Sequence, residues 1–256
     1  MRPPRKAGAR SAPRHGLARV LSKRGLCSRS EAAKWIAEGR VRVEGRVVRD
    51  PEFPIVDGAA RIAVDDRELD APPRRIYLAL NKPRGLVTTA RDEQGRDTVY
   101  RCFDGASLDG GEDIGWIAPV GRLDKASEGL LLFSNDPKWA ARITDPLSGP
   151  DKTYHVQVDA IPDVVLLARL VDGVEADGER LSAKSAVLLR AGAKNAWLEI
   201  VLDEGRNRQI RRLLAAFDIK VLRLVRVAIG ELKLGELAKG QWRELSAAEV
   251  AALGRG

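Results

Sequence analysis

The stretch Asp70-Ala71-Pro72-Pro73-Arg74-Arg75 constrains this chain most, because a turn-rich break with paired prolines continues neither a helix nor a strand. The 256 residues suffice for a small domain and a medium one, and this break is the best boundary between them. Charge divides along similar lines. Residues 1–50 hold 14 Lys+Arg against Glu31, Glu38, Glu44 and Asp50, a net of +10, whereas the remainder holds 30 basic against 32 acidic side chains. An overall charge of +8 gathered at one end points to a polyanionic partner gripped by that end.

Hydrophobic residues at 44% and charged residues at 31% leave ample side chains for a core and argue against disorder of the whole chain. No run of about 18 apolar residues exists, and the first residues lack an apolar segment that could serve as a signal core. A cytoplasmic protein without membrane attachment is the expectation. The Arg-rich opening also has the composition of an organelle transit peptide, but its prolines oppose the amphipathic helix such peptides form. Cys27 and Cys102 stand alone, with only His15 and His155 as other soft ligands, so neither a zinc site nor a disulfide framework is expected.

Residues 1–14 mix Pro, Arg, Gly and Ala without apolar periodicity and read as a disordered cationic tail. From Leu17 the apolar spacing becomes helical through Val20 and Leu21, and Gly25 supplies a stop. A second helix follows, with Ser28 and Glu31 at capping-box spacing, Ala32, Trp35 and Ile36 as its buried stripe, and Gly39 at its end. The period then falls to two: Val41, Val43, Val47 and Val48 flank Glu44-Gly45, a hairpin, with another strand near Arg61 to Val64. Residues 15–70 thus form a compact unit crowded with Arg19, Lys23, Arg24, Arg29, Lys34, Arg40 and Arg42, our candidates for contacts to nucleic-acid phosphates. A solvated charged face is the bland alternative, but the acidic residues that would interleave on one are sparse.

Residues 75–256 read differently. IYLAL, LVTT, KTYHVQV and AWLEIVL have strand patterning, and segments near 136–144, 162–171 and 206–217 have helical patterning. Strands arriving in runs predict an α+β domain with a mainly antiparallel sheet flanked by helices.

Three segments carry candidate chemistry. In GRLDKASEGLLLFSND (121–136) an aspartate, Asp124, sits in a glycine-bounded turn ahead of the apolar run Leu130 to Phe133. On spacing alone Asp124 could equally cap a turn. In KTYHVQV (152–158) Tyr154 lies on an alternating strand, where packing is the commoner role. EGRNRQIRRLLAAF (204–217) opens a helix whose first turns carry Arg206, Arg208, Arg211 and Arg212, suited to phosphates or simply to solvent.

Together these segments resemble the RsuA/RluB-type family of ribosomal RNA pseudouridine synthases, in their order and separations as well as their residues. GRLD with the following SEGLLLFSND is similar to that family's catalytic-aspartate motif, KTY to its tyrosine motif and RQIRR to its arginine motif. Gly25-Leu26-Cys27-Ser28-Arg29 and GRVRVEGRVV resemble the S4 RNA-binding module that commonly precedes the catalytic domain. The resemblance spans residues 15 to about 245. It departs at Ser127, where Thr is expected, and at Arg208, where His often stands.

The resemblance implies isomerisation of a uridine in ribosomal RNA or a ribosomal-subunit precursor, with the 23S large-subunit RNA favoured over 16S; the oligomeric state is left open, with a monomer as the default. Asp124 would attack the nucleoside or take a sugar proton. Arg211 would keep Asp124 ionised through paired hydrogen bonds. Tyr154 would meet the uracil and shuttle the C5 proton. Arg122 joins Arg206, Arg208 and Arg212 as candidate RNA contacts. The reaction needs no redox step or group transfer, so no cofactor and no metal are expected, in keeping with the lack of a Walker or G-x-G-x-x-G loop. Two other readings compete: a non-catalytic ribosomal-RNA-binding or assembly factor on the same fold, and a glycoside hydrolase, which normally needs two flanking carboxylates.

Overall fold

The computed structural model describes residues 14–255 apart from 57, 59, 70–72 and 91. The described residues up to Arg74 form one compact unit and those from Arg75 onward another. The expected cationic tail lies outside the described residues except for Arg14, which pairs in a strand; residues 70–72 of the proline break lie outside them too.

The first unit contains β1 (Arg14–Gly16), α1 (Leu17–Lys23), α2 (Arg29–Ala37), β2 (Val41–Val43), β3 (Arg46–Val47), β4 (Pro54–Val56), β5 (Ile62–Val64) and β6 (Arg67–Glu68). Leu17, Val20 and Leu21 of α1 meet Ala32 and Ile36 of α2 over Val41, Val43 and Ile62. The β2–β3 hairpin turns at Glu44-Gly45, both at positive φ (48° and 76°), the conformation a two-residue hairpin requires. Only half of the expected capping box forms. Ser28 Oγ accepts from Glu31 N at 3.1 Å, but the Glu31 carboxylate accepts from Trp35 Nε1 at 2.8 Å, one turn onward along the helix. Trp35 is accordingly half-buried rather than part of a sealed stripe.

The second unit is built on a nine-stranded sheet. Its strands are β7 (Tyr77–Lys82), β8 (Ala118–Val120), β9 (Glu128–Ser134), β10 (Lys152–Val158), β13 (Ser185–Ala191), β14 (Ala196–Leu202), β15 (Val221–Ile229), β16 (Leu232–Lys233) and β17 (Trp242–Glu244). The main order is β13-β14-β10-β15-β9-β7-β17, with β8 beside β9 and β16 beside β15. Pairing is antiparallel except between β9 and β15. The helices are α3 (Pro137–Thr144), α4 (Val164–Asp172), α5 (Gln209–Ala215) and α6 (Ala247–Leu253), and a short hairpin joins β11 (Val174–Ala176) to β12 (Glu179–Leu181).

The run Leu130 to Phe133 is uniformly apolar because β9 is covered on both faces. Leu131 and Phe133 pack with Leu78, Leu80, Val99 and Leu123, while Leu130 and Leu132 pack with Trp139, Ile143, Ile229 and Leu253. A third cluster forms where Leu170, Ile210, Leu213 and Leu214 cover Val156, Leu198 and Ile200. Between the first and third clusters the sheet is joined through the short parallel contact of β9 and β15. A Cβ at position 129 would collide with the Arg226 backbone, so residue 129 must be glycine.

Two expected elements differ. LVTT (86–89) is not a strand: Val87 makes an isolated bridge to Thr98, and the Thr88 hydroxyl is turned to a loop instead of a ladder. The helix expected from 206 starts at Gln209, because Arg208 takes a left-handed backbone (φ 49°) and Arg206 N is satisfied by the Gln209 side chain at 3.2 Å.

Candidate active site

Asp124 lies in the loop that joins β8 to β9, and three anchors hold that loop. Thr88 Oγ1 donates to Leu123 O at 2.7 Å and accepts from Leu123 N at 3.3 Å. Gly85 N donates to Lys125 O at 2.8 Å. The third is Lys82, the last residue of β7. Its side chain is wholly buried, and its ammonium donates to Ser127 O (2.9 Å), Pro83 O (3.0 Å) and Asp124 O (3.3 Å). Burial lowers the Lys82 pKa to about 8, against the opposing pull of Asp124. Sequence reading missed Lys82. The available signal was a cation closing the otherwise apolar strand IYLALNK.

The Asp124 carboxylate is 40% exposed and faces a cavity of about 850 Å³. Tyr154 from β10 and Arg211 from α5 line the same cavity. The structure thus brings together the three residues singled out for chemistry, but with a different division of labour between the arginines. Arg211 makes no fork onto Asp124. Its Nη1 donates to Val221 O at 3.2 Å and its Nη2 to Ala126 O at 3.4 Å, tying the Asp124 loop to β15, while Nε is enclosed without an acceptor. Burial, then the nearby Arg208 charge, lowers the Arg211 pKa, with Asp124 acting in the opposite sense. The guanidinium that reaches the carboxylate is Arg208, whose Nη1 lies 3.6 Å from Asp124 Oδ2. The left-handed turn at Arg208 puts it ahead of the helix rather than on it, which helical spacing could not reveal.

Behind the loop, Glu128 accepts from Arg223 at 2.8 and 3.1 Å and lies 2.6 Å from the Lys239 ammonium. Burial alone would raise the Glu128 carboxyl, but these bonds hold it below the usual range.

The expected RNA contacts fall into two groups. Arg122 is exposed at the cavity, and Arg206 and Arg208 also line it, although Arg206 is held by Glu204 (2.8 Å) and Arg180 O (2.9 Å). Arg212 is turned away, bound to Asp177 (2.8 Å), Glu179 (2.7 Å) and Ala176 O (2.8 Å), where it fastens α5 to the β11–β12 hairpin. In the first unit Arg19, Arg29 and Lys34 are exposed, with no ion-pair partner among the described residues. Lys23 lies 3.4 Å from His15 Nε2 and Arg24 is half-buried. Arg40 is paired with Asp65 at 2.9 Å, and Arg42 with Asp66 at 3.0 Å. Among the described residues no cluster of three metal-ligating side chains occurs, and no helix is long and apolar enough to cross a membrane.

In a mainly antiparallel sheet, one cavity gathers a half-exposed aspartate on a pinned loop, a tyrosine and several arginines, an arrangement that can offer a carboxylate and cationic groups to one ligand. Residues 76–216 match the RNA pseudouridylate synthase family, and the chain belongs to that family. Residues 16–59 match the S4 domain. An RNA pseudouridine synthase of Aquifex aeolicus is 39% identical, over 92% of each chain. A Bacillus subtilis protein named ribosomal large subunit pseudouridine synthase B is 34% identical, over 91% of this chain and 93% of its own. A crystal structure of a pseudouridylate synthase, 31% identical, superposes with a TM-score of 0.63 over 94% of this chain and all of that one. The chain is therefore an RNA pseudouridine synthase with an N-terminal S4 domain.

Proposed function

We propose that this enzyme converts a specific uridine of ribosomal RNA to pseudouridine, with 23S large-subunit RNA favoured over 16S, and that Asp124 begins the reaction. The observation that carries the aspartate assignment is the convergence of Asp124, Tyr154 and Arg211 on one cavity. The large-subunit preference draws on the Bacillus subtilis relative, whose name specifies that subunit. The S4 domain grips the RNA, and a single chain in the cytoplasm is the working unit.

The target uridine must leave its stack to reach Asp124, at a cost of about a few kcal/mol, which phosphate contacts to Arg122 and Arg208 help to offset. Asp124 then acts on the sugar, as nucleophile at C1′ or as base, and the C1′–N1 bond breaks. Tyr154, on the wall of the same cavity, lies against the uracil and relays the proton lost from C5 once C5 has joined C1′. Arg211 keeps the loop in place, and the Arg208 guanidinium lies 3.6 Å from the Asp124 carboxylate.

The test is Asp124→Asn, assayed by single-turnover conversion on ribosomal RNA or a partly assembled subunit, with binding measured at matched salt. Conversion should vanish and binding should persist. Activity within about tenfold of wild type, a barrier change of only about 1.4 kcal/mol, would return the chain to a binding or assembly role. Mapping pseudouridines in the ribosomal RNA of a deletion strain identifies the subunit and the position.

A further inference from the structure

Arg226 stands directly opposite Tyr154 across the β10–β15 pairing, so their side chains leave the sheet on one face, and both line the Asp124 cavity. Arg226 is 5% exposed. Its Nε donates to Leu130 O at 2.7 Å, and neither terminal nitrogen has an acceptor among the described residues; Nη2 is sealed off, which leaves Nη1 as the unpartnered nitrogen open to the cavity. No carboxylate among the described residues pairs with this guanidinium. The second cation on the same wall is Lys152, two residues before Tyr154 on β10, whose pKa is lowered by burial and then by Arg226 itself. The adjacent Asp151 is taken by Lys184 at 2.8 and 3.1 Å.

A buried, unpaired charge is costly to a fold, and an orphaned donor in a cavity calls for a partner that arrives with a ligand. The candidates in RNA are a phosphate and the base. The exposed Arg122 and the half-exposed Arg208 already serve the part of the cavity a backbone phosphate can reach, whereas Arg226 is enclosed beside the tyrosine that would lie against the ring. A flat base edge fits that position and a tetrahedral group flanked by chain on both sides does not.

We propose that Arg226 is a further catalytic residue, whose unpaired Nη1 end receives the negative charge that uracil carries on its carbonyl oxygens while it is detached from the sugar, with Lys152 reinforcing the same field. This rests on the reading that the Asp124 site performs the isomerisation. When C1′–N1 breaks, the bonding pair leaves with the base and spreads over N1, O2 and O4. After the base turns, a pair from C5 forms the bond to C1′, C5 gives up its proton and N1 takes one, so neither oxidant nor reductant is consumed. A fixed donor aimed at charge that exists only during the reaction lowers the barrier without tightening substrate binding.

The experiment uses the full chain with Arg226→Gln, Arg226→Lys and Asp124→Asn, on RNA containing either uridine or 5-fluorouridine at the target. Fluorine stabilises the departing base, so that RNA depends less on the protein for the same charge; its C5 carries no proton to lose, so it is scored by loss of the N1-linked 5-fluorouridine and not by formation of pseudouridine. Arg226→Gln should fold with an unchanged or higher Tm and slow single-turnover loss of uridine about 100-fold, the scale of removing one oxyanion donor. RNA affinity should stay within about threefold, and the deficit on 5-fluorouridine RNA should shrink to about tenfold or less. Arg226→Lys should recover part of the rate. Weakened binding with an unchanged saturated rate would make Arg226 a phosphate contact and overturn the proposal. Equal deficits on the two RNAs, or a lower Tm with activity reduced in proportion, would leave it a positioning or structural residue and overturn it too. An active Asp124→Asn would sink the site reading itself. An inactive Asp124→Asn beside a fully active Arg226→Gln would sink only this proposal.

Discussion

Lys82→Met removes the ammonium group that joins the end of β7 to the Asp124 loop. Three carbonyl oxygens, on Pro83, Asp124 and Ser127, lose their donor. Leaving a buried acceptor unsatisfied costs about 1–3 kcal/mol, so the three together cost about 3–9 kcal/mol. Against this, the Lys82 pKa is lowered from 10.5 to about 8, so near neutral pH holding the charge in its buried site destabilises the native state by about 3 kcal/mol. Methionine removes that penalty, and the net destabilisation should be about 3 kcal/mol, measured by urea unfolding. Catalysis should fall further than stability implies. Two of the three carbonyls belong to the loop that carries Asp124, and a shift of about 1 Å at a reacting group costs about 100-fold. Single-turnover conversion, run where both proteins are fully folded, measures this. A stability loss with a rate within about threefold of wild type would refute the idea that Lys82 positions the aspartate.

The same group gives stability a pH dependence. Above about 8 the native Lys82 releases its proton while the unfolded chain holds it to about 10.5, so the unfolded state binds more protons in that window. Stability from this group therefore rises as pH increases between those values and is lost as pH falls through about 8, and Lys82→Met should flatten that part of the profile. Arg211→Lys should lower the single-turnover rate about tenfold or more, because one ammonium cannot hold Val221 O and Ala126 O at once. Arg212→Lys should cost about 1 kcal/mol in unfolding experiments and leave the rate unchanged, since its partners lie on the β11–β12 hairpin; comparable rate losses at both positions would contradict this division. Replacing Arg19, Arg29 and Lys34 with Gln should weaken RNA binding and reduce its log-log salt slope by about 0.7–0.9 for each phosphate that is no longer neutralised. An unchanged slope would move the RNA grip away from these three residues of the S4 domain.

Much of the architecture was legible in the sequence because it is written in local periodicity. Helical spacing from Leu17 and again from Ala32, the alternation in VRVEGRV, KTYHVQV and AWLEIVL, and the unbroken apolar run before Ser134 each express one element's contact with a core. Asp124, Tyr154 and Arg211 stood out through their motifs, and they do line one cavity. What the arginines do there was not legible. Arg208 reaches Asp124 across the fold from a left-handed turn that no helical pattern announces, and Arg211 is committed to backbone carbonyls. LVTT has strand composition, yet Thr88 serves a loop 35 residues away. Arg226 carried no signal as a functional residue and Lys82 only that of a cation closing an apolar strand, since each takes its meaning from partners 96 and 42 residues distant. Periodicity records which side of an element meets apolar surface; which buried cation finds an acceptor, and which is left without one, is decided only when distant strands close on each other and exclude the water that would otherwise have solvated them.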